Sequence, residues 1–198
     1  MNKIELNKIE FTMKGQVPLM ISSDHSANPL HPVAKEIKKL TGVRKKTDDL
    51  HEEILKLKWM ACLYLDKDLG IYMPVANVWR SIHDAAKMSK SGKDIERGVQ
   101  APPVIGFKII HTGGTNDPEK LYQNSEFIDV RMARPNGTGG KIPVARPIFR
   151  EWSINASMMY DTDIIDEGRM RDFITMAGRY CGVGTYRRFF GRFDMDFK

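Results

Sequence analysis

The sequence predicts an α+β domain, an antiparallel sheet with helices on one face. Three observations carry that expectation. Residues 152–160 (WSINASMMY) alternate apolar and polar, the two-residue period of a half-buried strand. Residues 75–86 and 170–181 instead repeat apolar side chains at helical spacing, the stripe of an amphipathic helix. Between them, two extended runs flank PNGTGGK at 135–141, where Asn-Gly and Gly-Gly mark a hairpin turn.

Along the chain, Ile4, Leu6, Ile9 and Phe11, then residues 17–22 after Gly15, read as an opening strand or hairpin. His25, Asn28, Pro29 and Pro32 mark a loop, and Val33, Ile37 and Leu40 form a short helical stripe stopped by Gly42. Thr47 followed by Asp48 and Asp49 is a helix start. A hydroxyl caps the unpaired N–H groups there, and carboxylates favour the positive end of the dipole. Leu50, Ile54 and Leu57 give that helix its buried face, and residues 60–65 and 71–73 are expected as strands joined by a turn at 66–70. Pro74 opens the next helix, with Val75, Val78, Trp79, Ile82 and Ala86 on its apolar side and Asn77, Arg80, His83 and Asp84 on its polar side. Residues 89–100 read as a loop or short helix, 104–111 as a strand, and 113–123 as an exposed, turn-rich segment. The hairpin (127–134 and 142–149) and the strand at 152–160 follow. An acidic run (Asp161, Asp163, Asp166, Glu167) then leads into a helix lined by Met170, Phe173, Ile174, Ala177 and Cys181. A glycine-rich loop and a last strand at 193–197 complete the chain. This order is that of a ferredoxin-like β-α-β-β-α-β domain over residues 1–198, with an insertion at 23–73 and a protruding hairpin at 127–150.

Composition excludes several classes. A hydrophobic fraction of 41% over 198 residues builds a core, but no window offers the 18 apolar residues of a membrane span. The first residues, MNKIELNKIEF, carry no signal-peptide apolar region, so a cytoplasmic location is expected. Cys62 and Cys181 lie far apart without a second pair, which argues against a disulfide framework and against zinc. There is no phosphate-binding P-loop, dinucleotide fingerprint, nucleophile elbow or calcium loop, so neither cofactor nor metal nor catalysis is expected. His25, His31 and His83 assemble no catalytic trio by spacing and read as surface residues.

Charge points to an anionic partner. The net charge is +6, and ten of the thirteen arginines follow residue 130 whereas sixteen of the eighteen lysines precede it. Guanidinium groups pair phosphate through two parallel hydrogen bonds and stack on rings, so arginine set among glycines and aromatics suits a nucleic-acid strand better than lysine does. The segment AGRYCGVGTYRRFFGRF concentrates those features. A single strand needs cations for its phosphates and π-faces for its bases. Tyr186, Arg187, Arg188 and Arg192 are candidates for one side of such a site, Arg131, Arg134, Lys141, Arg146 and Arg150 on the hairpin for the other, and Arg44, Lys45 and Lys46 for a third contact.

These features resemble the RAMP superfamily, the RRM-like proteins of CRISPR systems, and most nearly the backbone subunit that coats guide RNA. IYMPVANVWRSIHDAAK (71–87) matches the helix introduced by a proline-containing turn, residues 130–149 the central hairpin, and GVGTYRRFFGRFDM (182–195) the glycine-rich loop running into a short strand. The tail is also similar to bacteriophage and mobile-element proteins. The resemblance implies a non-catalytic protein that binds single-stranded RNA or DNA and forms homo-oligomers along it in a bacterial cell. It also implies two rivals, an anti-defence protein docking on a host complex and a RAMP-type endoribonuclease.

Overall fold

The computed structural model describes residues 6–134, 140–187 and 189–198. In chain order the described elements are β1 (Leu6–Gly15), β2 (Leu19–Met20), α1 (Pro32–Thr41), α2 (Asp48–Ala61), β3 (Leu65–Asp66), β4 (Gly70–Pro74), α3 (Val75–Met88), α4 (Gly92–Gly98) and β5 (Val99–Gln100). They continue with β6 (Gly106–His111), α5 (Pro118–Tyr122), β7 (Ile128–Ala133), β8 (Ile142–Phe149), β9 (Trp152–Asp161), α6 (Glu167–Met176) and β10 (Phe193–Phe197). The chain is thus α+β with six described α-helices, and the ladders β1–β9, β1–β10, β3–β4, β4–β6, β5–β9, β6–β9 and β7–β8 are antiparallel. No helix among the described residues is long and apolar enough to cross a membrane. The chain divides into two compact units, one of residues 1–19, 65–112 and 150–198, the other of residues 20–64 and 113–149.

The first unit is built on a sheet of order β10-β1-β9-β6-β4-β3, with β5 also pairing with β9. The long β1–β9 ladder sets Ile9 opposite Met158, Phe11 opposite Ala156 and Met13 opposite Ile154, and all six are buried. Because side chains alternate across a strand, that register sends every second residue to the other face. Helices α3 and α6 add to the core Val75, Val78, Ile82, Ala85 and Ala86, and Met170, Phe173 and Ile174. Asp166 caps α6 by accepting the Arg169 N–H at 2.9 Å, so part of the acidic run is helix-start chemistry, as its position implies.

In the second unit α2 begins with Thr47 accepting the Leu50 N–H at 3.3 Å. Trp59 is fully buried, donates its indole N–H to the Phe127 carbonyl at 2.9 Å, and meets Tyr122 edge-on at 5.4 Å. Strands β7 and β8 pair from Ile128↔Pro147 to Ala133↔Ile142, the hairpin expected there; its glycine-rich tip, 135–139, lies outside the described residues.

Three local expectations are corrected. Residues 60–61 finish α2 instead of starting a strand, because Ala61, seven residues on, continues the buried face of Ile54, while Trp59 is buried on another side of the helix against Phe127 and Tyr122. A short apolar run is ambiguous by period alone, and helix continuation wins here. The opening segment is not a hairpin: β1 pairs with β9 and β10, whereas β2 belongs to the β2-β8-β7 sheet. Gly15 is the last residue of β1, as its punctuation implies, and the Trp152 indole covers it so closely that a Cβ there would lie 2.3 Å from Nε1. His83 is 3% exposed, not a surface residue. It stacks on Trp79 with ring centres 4.9 Å apart, and Nε2 meets Glu96 Oε1 of α4 at 2.8 Å.

Candidate nucleic-acid interface

The glycine-rich segment starts where α6 ends. Ala177–Cys181 forms one wide π-type turn, and Gly178 has no room for a side chain there, because a Cβ would meet the Phe193 carbonyl oxygen at 2.2 Å. Gly182, Gly184 and Gly191 then adopt φ of 68°, 82° and 71°, a region that costs other residues steric strain. The loop closes on itself. Val183 N–H donates to Gly191 O at 2.9 Å, Gly191 N–H to Pro18 O at 2.9 Å, and Gln16 N–H to Arg192 O at 2.9 Å. Val183 is sealed beneath it at 0% exposure, so both ends of the loop are anchored in the first unit's core.

What the anchored loop presents is aromatic and cationic. Phe189 stands 82% exposed and Tyr186 43%, the latter with φ of 51°. The Phe190 N–H closes a turn onto Tyr186 O at 3.2 Å. Tyr180, on the wide turn before the loop, is 48% exposed. Arg192 is exposed, and Arg188 lies outside the described residues.

Arg187 folds back. Its NH1 donates to Asp84 Oδ2 of α3 at 3.0 Å, while Arg80 Nε meets Asp84 Oδ1 at 3.0 Å. One carboxylate therefore joins two guanidinium groups, leaving a net positive charge and fastening the loop to α3. Asn77, Arg80 and Asp84 share a face at i, i+3 and i+7. Asn77, Arg80, Gly184 and Arg187 line a recess of about 140 Å³. A larger groove of about 640 Å³ lies against Asp84, Lys87, Tyr180 and Arg187.

The remaining arginines divide similarly. Arg131 holds Asp129 through Nε at 2.6 Å and NH2 at 3.1 Å, Arg169 holds Asp94 at 3.0 Å, and Arg171 holds Glu167 at 2.6 Å. With Arg187, at least four of the ten arginines beyond residue 130 thus serve carboxylates of the protein itself. On the hairpin, Arg146 sits opposite Asp129 in the ladder and near Cys62, where it partly offsets the burial that raises the thiol's pKa. Arg134, Lys141 and Arg150 are exposed. So are Arg44 and Lys45, whereas Lys46 donates to the Val43 carbonyl at 2.8 Å. The hairpin strands and the 44–46 cluster belong to the second unit, and the loop with Arg150 to the first.

The helix-free face of the first unit's sheet is a different surface. Lys8, Glu10, Thr12 and Lys14 of β1 share it with Asn155 of β9, Lys108 of β6, and Asp194 and Asp196 of β10. Lys8 pairs with Glu10, Lys14 with Asp196, and Thr12 donates to Asn155 Oδ1 at 2.7 Å. RRM-type sheets bind RNA by stacking bases on aromatics of that face. Here that face mixes these charged pairs with Ile110, Met159 and the half-buried Tyr72 opposite Lys108, whereas the most exposed aromatics among the described residues, Tyr180, Tyr186 and Phe189, lie on and just before the loop.

Sequence reasoning passed over Asn77, Arg80, Lys87 and Tyr180. Their polar spacing on α3 was visible, but not what the loop would bring against it. Among the described residues no three His, Cys, Asp or Glu side chains gather as a metal ion requires. His25 and His31 stack on each other with ring centres 4.7 Å apart in the second unit. No family model matches this chain, and no curated protein matches its sequence.

Proposed function

We propose that this protein binds single-stranded nucleic acid without cleaving it, that it belongs with the RRM/RAMP-like proteins, and that its glycine-rich loop is the principal contact. The observation that carries the reading is Phe189, a large apolar side chain 82% exposed at the end of a loop whose base is locked by three positive-φ glycines. Exposing a phenylalanine forgoes its burial, roughly 1.5–3 kcal/mol. A stacked base recovers that and tolerates any sequence, because every base has a π-face. Tyr186 and Arg192 flank it with a second ring and a cation.

The topology supports the same assignment. Strands β1, β6, β9 and β10, with α3 before β6 and α6 before β10, give the order β10-β1-β9-β6. Two interleaved β-α-β units of a ferredoxin-like domain generate that order. In this reading β3 and β4 extend the sheet, and the second unit is an elaboration of it. Coating a strand requires repetition, so the protein assembles as a homo-oligomer along it.

Labelled single-stranded RNA, single-stranded DNA and duplex, titrated by fluorescence anisotropy at low and moderate salt, test the proposal. One single strand binds, salt weakens it, and Phe189→Ala weakens it by about 5- to 150-fold, the cost of one lost stack. Absence of binding to all three polymers overturns the reading.

A second reading rests on a separate observation. Val130 and Met132 on β7 are 56% and 58% exposed. Two adjacent apolar side chains on one hairpin face suit a protein surface better than a phosphate backbone. The partner is then a neighbouring copy or a host defence complex. A stoichiometric protein complex formed without oligonucleotide affinity would favour it.

A further inference from the structure

We infer that the recess and groove between α3 and the glycine-rich loop form a seat for one nucleotide, the recess taking the phosphate and the groove the base. This rests on the strand-binding reading and names residues that it does not include. The recess has the chemistry of an oxyanion site. Arg80 and Arg187 present two guanidinium groups, Asn77 an amide and Gly184 bare backbone, in about 140 Å³. Liquid water occupies about 30 Å³ per molecule, so the space holds roughly five waters and admits one tetrahedral oxyanion with some of them.

Asp84 gives the recess its form. By holding Arg80 and Arg187 at 3.0 Å each, it fixes two flexible cations in advance and neutralises only one of them. Preordering of this kind reduces the entropy lost when the anion binds. A phosphate there meets planar donors already in place, which guanidinium supplies and ammonium does not.

The groove continues the site, because Arg187 lines both spaces. At about 640 Å³ it falls in the usual size range for small-molecule clefts. Tyr180, 48% exposed, offers a ring face, and Lys87 a cation at the groove's edge. A base resting on Tyr180 with its phosphate on Arg80 and Arg187 occupies the two spaces together. Neither Arg80 nor Tyr180 belongs to the loop segment 182–192, so the seat extends the interface beyond it.

The test uses the full chain and two kinds of probe. Adenosine 5′-monophosphate and adenosine are titrated into ¹⁵N-labelled protein while amide shifts are followed. Arg80→Gln and Tyr180→Ala are then compared with wild type for oligonucleotide affinity. Both side chains are about half exposed, and circular dichroism checks that each variant is folded. The expected result is amide shifts at Gly184 and along α3 with the monophosphate and much weaker ones with adenosine. Each variant is also expected to lose about tenfold in oligonucleotide affinity, one charge-assisted contact or one stack. If the wild type binds oligonucleotide and both variants bind equally well, the strand takes another path: the seat is refuted and the strand-binding reading stands. If the wild type binds no oligonucleotide, that reading falls and the monophosphate decides alone. Shifts confined to these residues keep the seat as a free-nucleotide site, and their absence removes it.

Discussion

Gly191 is where the loop's construction is most exposed to test. Its φ is 71°, and a Cβ built there lies 1.9 Å from the Val183 carbonyl oxygen and 2.9 Å from its carbon. Gly191→Ala incurs two separate costs. Left-handed backbone costs a non-glycine residue about 1–2 kcal/mol. Relieving the overlap also requires the two backbone segments to part by about 1 Å, enough to break a hydrogen bond of ordinary length. The Val183 N–H···O bond to Gly191 and the Gly191 N–H···O bond to Pro18, both 2.9 Å, are the ones at risk. At about 1 kcal/mol each they bring the total to roughly 3–4 kcal/mol. Gly114 is the control: its φ is 65°, but nothing lies within 4 Å of its Cβ position, so Gly114→Ala incurs only the first cost. With a urea dependence of about 2–3 kcal/mol per molar, Gly191→Ala lowers its unfolding midpoint by about 1 M more than Gly114→Ala lowers its own. Tryptophan fluorescence in urea reads both. Equal shifts in the two variants would refute the argument that a close backbone approach, and not φ alone, demands glycine at 191.

Three further outcomes follow from the charges and thiols. Asp84→Asn removes the carboxylate that holds Arg80 and Arg187 in place, so oligonucleotide affinity falls several-fold even though the local charge becomes more positive; anisotropy titrations that show tighter, more salt-dependent binding would mean that Asp84's charge outweighs its positioning of the arginines. The Asp94 carboxyl is held below its ordinary value of 3.8 first by the hydrogen bond from Arg169 and then by that from Arg97. A lowered folded-state pKa means stability that is fully present well above that ordinary value and lost as pH falls through the folded value. Asp94→Asn therefore flattens the acid limb below about pH 4, measured as urea midpoints from pH 3 to 7, and an unchanged limb would exclude the pair as a source of it. Burial pushes the Cys62 thiol pKa up. Cys62 consequently stays unreactive toward a disulfide reagent near pH 8 until the chain unfolds, while the less buried Cys181 reacts first; simultaneous labelling in the native protein would contradict the packing around Cys62.

The helix starts at Thr47 and after Pro74, the stripe from Val75 to Ala86, the hairpin around 135–141 and the strand at 193–197 were legible because each depends on neighbours in sequence. Capping, proline geometry and side-chain periodicity act over a few residues. Where a reading failed, a distant partner decided. The run after Trp59 stayed helical because its buried face had already been set, and His83 was covered because α4 folds back to bring Glu96 to it. The candidate site divides along the same line. The residues of the loop, including the glycines that its positive φ values require, could be picked out from composition alone. Which arginines remain available could not, because a guanidinium seen in sequence carries no record of its carboxylate. Arg131 is matched by Asp129 two residues away, but Arg187 by Asp84, 103 residues away.

By itself, then, the amino-acid sequence determined the α+β class, the main elements and a terminal loop rich in arginine, glycine and aromatics. Propensity and periodicity are local, and composition needs no folding. The tertiary structure alone decided the strand order, the β1–β9 register that buries Ile9, Phe11 and Met13 on one sheet face, and the closing of the loop through Val183, Gly191 and Pro18. It alone set Asn77 and Arg80 against Gly184 and Arg187. Those outcomes depend on contacts between residues far apart in the chain, which exist only once the backbone has closed around a common core.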